Sequence, residues 1–240
     1  MIVVHTMPRI GWGLLSPSPF CAKVELYLKM LGEPYEVRPT LSAAAGPHKK
    51  LPWIEDNGSA ITDSEVILDH LRTLRGDPLG EEQIPADERA RHHLARRTAE
   101  ESLYFVIVAE RWRDETMYAA YTADLLGSVP ALARPVVAAL ARRMLLKQLW
   151  QQGTGRHSLE AALSRGTRDI DALAWALGQA PYFAGGQPAG IDAALWGSLA
   201  NIWFVPVGGT LKRAVGAHPA LVAWLERVAE RYQLGETSGA

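Results

Sequence analysis

Residues Ser16–Arg38, "SPSPFCAKVELYLKMLGEPYEVR", run from a Ser/Pro loop through a helical pattern into a short strand-like segment. Pro19 suits a first helical position, where its missing N–H costs nothing. Val24, Tyr27, Leu28 and Leu31 recur at helical spacing, and Gly32 can close the helix in the left-handed conformation. Before this stretch, Ile2–His5 is apolar and β-branched and reads as a buried strand, joined to the helix by an irregular loop from about Met7 to Ser18. After it, Tyr35–Arg38 reads as a second strand. Strand–helix–strand predicts a right-handed crossover between two parallel strands.

The pattern then changes. Leu51–Glu55 and Ala60-Ile61 flank Asn57-Gly58, a strong hairpin signal. Thr62 and Glu65 have the spacing of a capping box opening a helix through Val66, Ile67, His70 and Leu71. The order β-α-β-β-β-α defines an α/β domain over residues 1–76, followed by a turn-rich linker over 77–86 that begins Asp77-Pro78-Leu79-Gly80.

Beyond the linker strands become scarce, and residues 87–234 read as an all-helical domain with a polar tail over 235–240. Asp87–Met117 reads as one long helix. Tyr118–Trp150 reads as helical with breaks near Gly127–Pro130 and Pro135, and Ser158–Leu177, Ile191–Phe204 and Pro219–Tyr232 are three further helical patterns. Trp112, Trp150, Trp175, Trp196 and Trp203 fall among these helices and are expected in the core.

The bulk properties are those of an ordinary globular chain: 240 residues, 48% hydrophobic, 21% charged, with a formal net charge of −1. That balance argues against a nucleic-acid partner while leaving room for a local basic patch. A single cysteine excludes an intrachain disulfide and fits a reducing compartment. The start "MIVVHTMP" lacks a charged segment ahead of a long apolar core, and no apolar run approaches membrane-spanning length, which predicts a cytoplasmic protein with no membrane span. No HExxH or paired-ligand spacing is present among the histidines, so no metal is expected.

A small β-α-β-β-β-α domain ahead of an all-helical one resembles the glutathione S-transferase superfamily, whose first domain is thioredoxin-like. The resemblance rests on Ser18–Val24, on Leu51-Pro52, on Thr62-Asp63-Ser64 and on Gly185–Gly197. The segments "KLPWIEDNG", "ITDSEVILDHL" and "QGTGRHSLEAA" are most similar to the branch containing metaxins and failed-axon-connections proteins. The resemblance implies a glutathione-binding transferase acting on a small-molecule electrophile, with glutathione as co-substrate, and a homodimer. It leaves as alternatives a non-catalytic interaction module of the metaxin type and a thiol reductase using Cys21.

Ser18 and Cys21 stand where related redox folds carry Cys-Pro-Phe-Cys. A serine cannot become a thiolate, but its hydroxyl can donate to the sulfur of bound glutathione, and the helix N-terminus favours the charged form. A plain helix cap accounts for Ser18 equally well. Cys21 shares a face with Val24 and Leu28 and reads either as a core residue or as a mixed-disulfide former, and Ser16 is a third candidate for the sulfur position. Leu51-Pro52 resembles the cis-proline turn that exposes a backbone edge to an extended tripeptide. Lys50, or its neighbour Lys49, could meet the glycine carboxylate. The pair Asp63-Ser64 resembles the site holding the γ-glutamyl end, although an acid in a first helical turn needs no ligand. Trp12, Tyr104 and Trp112 are the candidate walls of the electrophile cleft. Asp192 is expected to be structural, at a helix start where Ala189 replaces the usual Ser or Thr cap.

Overall fold

The structure is a computed structural model that describes residues 1–42, 44 and 46–234, so the expected tail over 235–240 lies outside the described residues. Strand β1 (Ile2–Thr6) leads into helix α1 (Pro19–Leu31), then β2 (Tyr35–Pro39), the hairpin β3 (Trp53–Asp56) and β4 (Ser59–Thr62), and helix α2 (Ser64–Arg75). The four strands lie in the order β2-β1-β3-β4. β1 pairs in parallel with β2, Val4 opposite Val37, and antiparallel with β3, Val4 opposite Ile54. The crossover and the hairpin are those read from the sequence. Asn57 and Gly58 turn with φ of 48° and 80°, the sign a two-residue hairpin loop needs. Gly32 ends α1 with φ 68°.

One expected feature is corrected. Asp63, not Thr62, caps α2, accepting from the Glu65 N–H at 2.9 Å, while the Thr62 hydroxyl bonds His48 instead.

The helical part comprises α3 (Ala86–Arg97), α4 (Tyr104–Arg113), α5 (Glu115–Leu125), α6 (Arg134–Gln152), α7 (Leu159–Leu177), α8 (Gly190–Trp203), α9 (Thr210–Gly216) and α10 (Pro219–Arg231). The single long helix expected from Asp87 to Met117 is interrupted twice. A wide π turn over Thr98–Leu103 joins α3 to α4, and Asp114 leaves helical geometry to cap α5 through the Met117 N–H. Helix α9 has no counterpart in the sequence reading. It begins where the buried Glu110 carboxylate accepts the Thr210 and Leu211 N–H groups, a cap supplied from far along the chain. Ser158, the first residue of the expected Ser158–Leu177 segment, caps α7 by accepting from the Ala161 N–H.

Two clusters form the core. The larger runs from the sheet and α1 across Ile107 and Ile170 to Trp196 and Trp224. The smaller gathers Ile10, Val108, Trp112, Tyr121 and Leu149. Trp150 and Trp175 are corrections, since they stand 59% and 89% exposed instead of lying in the core, and Trp203 is only partly buried. Asp192 is structural as expected. Its buried carboxylate accepts from the N–H groups of Phe183, Ala184 and Ala189 and from the Trp224 indole, tying the loop ahead of α8 and helix α10 to the start of α8.

Glu25 on α1 is another buried acid, bonded to Arg9 at 3.0 Å and Thr6 at 3.3 Å. Burial pushes its carboxyl up to about 7 from an ordinary 4.5, with Arg9 opposing the shift. Between those two values the folded chain holds a proton that the unfolded chain has released. The Glu25 contribution to stability is therefore greatest below pH about 4.5 and declines as pH rises through about 7. Glu25→Gln, which cannot titrate, is expected to flatten this part of the denaturant-unfolding profile against pH. A variant profile as steep as the wild type's would contradict the assignment.

Candidate functional site

The loop Ser16-Pro17-Ser18 is delivered to the start of α1 by contacts reaching in from the helical part. Arg111 of α4 donates to the Pro17 carbonyl at 2.8 Å and to the Asn201 side-chain oxygen at 2.7 Å. Asn201 of α8 in turn donates to the Ser16 carbonyl at 3.1 Å. Arg111 and Asn201 are both buried, so this clamp is held in a low-dielectric setting where its bonds count most. From below, Thr6 of β1 donates to the Ser16 hydroxyl at 3.4 Å, and the Ser18 N–H donates to the same oxygen at 3.2 Å.

These contacts separate the three candidates. Ser16 is buried and its hydroxyl is engaged inside the loop. Cys21 is fully buried, and desolvation pushes its thiol up, against smaller opposing hydrogen bonds from Ser18 and Thr6. Ser18 is half-buried at the N-cap of α1, where its Oγ accepts from the Cys21 N–H at 3.4 Å. An accepting hydroxyl still has its own hydrogen to donate.

The Leu51-Pro52 peptide is cis, and Pro52 is buried immediately before β3. Leu51 is half-buried and precedes the first residue paired with β1, Trp53 opposite His5. Lys49 and Lys50 are exposed, Lys49 with φ 52°. Asp63 adopts φ 73° and ψ 126°, a conformation a non-glycine residue rarely holds without a local reason. Its exposed carboxylate folds back over the first turn of α2, and Ser64 beside it is buried.

Beneath Ser64 lies a group that sequence reasoning missed. Lys23 of α1 is buried, and its ammonium reaches the Ser64 hydroxyl at 3.3 Å, Glu65 at 3.3 Å and Glu100 at 2.8 Å. Arg96 also pairs with Glu65. Burial pushes the Glu100 carboxyl up, and Lys23 pulls it back. The ammonium thus joins α1, α2 and the π turn in one network behind the start of α2. A lysine on the apolar side of α1 was the available signal, but its partners lie 41 and 77 positions away. Arg111 and Asn201 were missed for the same reason.

On the outer side of α1, Phe20 meets the Tyr104 ring edge-on at 4.9 Å, and Tyr104 meets Phe105 at 5.1 Å. Burial pushes the Tyr104 phenol up, so it stays protonated through the ordinary pH range. Trp12 is half-buried, donates to Asp124 of α5 and tilts against Tyr121. Met7, Trp12, Tyr104 and Phe105 form a half-buried apolar rim on the smaller core cluster. Trp112 is a correction, because it is buried against Tyr118 and Tyr121 and offers no open wall.

Comparison with known proteins agrees with this layout. A glutathione S-transferase N-terminal domain model matches residues 19–117, and a glutathione S-transferase C-terminal domain model matches residues 166–228. An isoprene-epoxide–glutathione S-transferase of Rhodococcus sp. is 31% identical over 93% of this chain and 96% of its own length. The chain belongs to the glutathione S-transferase superfamily. Relatives also include the failed axon connections protein of Drosophila melanogaster, 25% identical over 80% of this chain and 48% of that protein. A metaxin-1 homologue of Caenorhabditis briggsae is 26% identical over 85% of this chain and 65% of that protein.

The transferase architecture extends to solved structures. The β-etherase LigF of Sphingobium superposes with a TM-score of 0.66 at 15% identity, covering 95% of this chain and 94% of that one. A theta-class transferase of Xanthomonas axonopodis with glutathione bound gives 0.62 at 19% identity, covering 99% and 98%. At these identities the likeness is one of fold. The thioredoxin-like sheet with a helical domain behind it is therefore the transferase arrangement, and α6 lies outside both family matches.

Proposed function

We propose that this superfamily member is a glutathione transferase that binds glutathione along Ser18, Leu51-Pro52 and Asp63-Ser64 and activates its thiol. The observation carrying the proposal is the contrast at α1. Ser18 is a half-buried hydroxyl at a helix N-terminus with a hydrogen to donate, whereas Cys21 is sealed in the core. The reading gives Cys21 a packing role and Ser16 a loop-holding role.

In this scheme the γ-glutamyl carboxylate accepts from the Ser64 N–H and hydroxyl, with the Lys23 ammonium behind them, and Asp63 faces the α-amino group. The cysteinyl backbone runs along Leu51, and Lys50 neutralises the glycine carboxylate. The thiol loses its proton to water, and the thiolate is held by the Ser18 hydroxyl and the α1 terminus.

The electrophile sits on the apolar rim of Trp12 and Tyr104. A small epoxide, the class named for the Rhodococcus relative, suits this rim. The sulfur forms a bond to carbon as the epoxide C–O bond breaks, and the released oxygen takes a proton from the Tyr104 phenol, which is replenished from water. The reading includes a homodimer, testable as a particle of twice 26.3 kDa, and a cytoplasmic location.

Calorimetric titration with glutathione tests the binding half directly. Wild type is expected to give saturable heat, and Ser64→Ala to bind about tenfold more weakly through loss of a charge-assisted hydrogen bond. No heat from wild type at millimolar glutathione would overturn the proposal.

A further inference from the structure

We propose that the outer face of α6 docks the protein on an anionic membrane surface. Helix α6 carries apolar residues on its outer face as well as its inner one. Its inner residues Ala138 and Leu149 are buried, while Val136, Leu140, Met144 and Trp150 stand 61%, 62%, 55% and 59% exposed. Large apolar side chains gathered on an outward face mark a surface that is covered by a partner. Val136, Leu140 and Met144 recur at i, i+4 and i+8 and so form one ridge, with Arg143 and Lys147 interleaved along it and Trp150 towards its C-terminal end.

Charge decides what covers the ridge. Between Asp124 and Glu160 the chain has no acidic residue but carries Arg134, Arg142, Arg143, Lys147 and Arg156. The whole chain has a net charge of −1, so this cationic stretch is local and not a general property. The one α6 ion pair among the described residues joins Arg142 to Glu115, which leaves Arg143 and Lys147 outside any ion pair. A second copy packed ridge against ridge, with the two-fold axis through the middle of α6, would set Arg143 against its own equivalent with no acid on either ridge. Acidic phospholipid headgroups supply the missing charge. Aliphatic side chains then enter the acyl boundary while Arg and Lys reach outward to the phosphates, and Trp150 sits at the depth tryptophan prefers.

The contact is peripheral, because among the described residues no helix is long and apolar enough to cross a membrane. It is also separate from the proposed glutathione site, which uses the starts of α1 and α2 and the Leu51-Pro52 turn before β3.

The test is co-sedimentation of the full chain with phosphatidylcholine vesicles prepared with and without phosphatidylserine. Binding is expected only with phosphatidylserine and is released at high salt. R143Q/K147Q and L140S/M144S should each weaken it by at least about tenfold, with melting temperatures equal to wild type. No wild-type binding, equal binding to both vesicle types, or variants that bind as wild type would each overturn the proposal. A fall in oligomeric mass in L140S/M144S without vesicle binding would assign the ridge to a second copy and overturn it as well.

Discussion

Ser18→Ala is expected to lower the rate of glutathione conjugation by about tenfold to a hundredfold, the equivalent of losing a hydrogen bond to a charged group worth about 1.5–3 kcal/mol. The serine occupies the N-cap of α1 and accepts from the Cys21 N–H, so its removal costs a helix cap and, on the proposed reading, the donor to sulfur as well. The cap accounts for about 1 kcal/mol of stability and cannot by itself change the rate at a temperature where the protein is fully folded. Ser18→Thr keeps both functions and should retain most of the activity. Affinity for glutathione, measured separately, should change little, because most of the tripeptide is held elsewhere. Cys21→Ala should leave turnover within a fewfold of wild type, since the thiol is buried. Activity that survives Ser18→Ala and disappears in Cys21→Ala would reverse these roles.

Gly197→Ala is expected to be the most damaging Gly→Ala change among the described glycines. Gly197 lies on α8 where that helix crosses the start of α1. A Cβ there would penetrate the Pro19 carbonyl oxygen and stand 3.2 Å from the Lys23 nitrogen. The opposing atoms are backbone, which cannot swing aside as a flexible side chain could. Overpacking of this kind costs about 3 kcal/mol or more, corresponding to a melting temperature lower by about 6–12 °C. The displaced segment carries Ser18, so conjugation should fall even where the variant is folded. An unchanged melting temperature would show that the two helices are not in such close contact.

The elements that were legible in the sequence are those set by local rules. The Asn57-Gly58 hairpin, the Pro19 start and Gly32 end of α1, and the Ser158 cap depend on residues a few positions apart, while the cis Leu51-Pro52 turn was expected only from the family resemblance. The thioredoxin-like order followed from these. What could not be read depends on distant partners. Arg111 and Asn201 clamp the Ser16–Ser18 loop from 90 or more positions away, and Glu110 starts α9 from 100 positions away. Helix α9 has only seven residues, too short to show a helical period. Trp150 and Trp175 fell into helical apolar patterns that cannot tell an inner face from an outer one. Thr62 and Asp63 could both cap α2, and only the unusual Asp63 backbone decides between them.

The central claim is that Ser18 and the α1 terminus stabilise a bound thiolate. Following the near-ultraviolet thiolate absorbance of glutathione bound to the wild type and to Ser18→Ala across pH tests it most directly. A free thiol titrates near 8.5. The account predicts that bound glutathione titrates at least one unit lower on wild type and returns toward the free value on Ser18→Ala. A bound thiol that titrates like free glutathione on the wild type would contradict it.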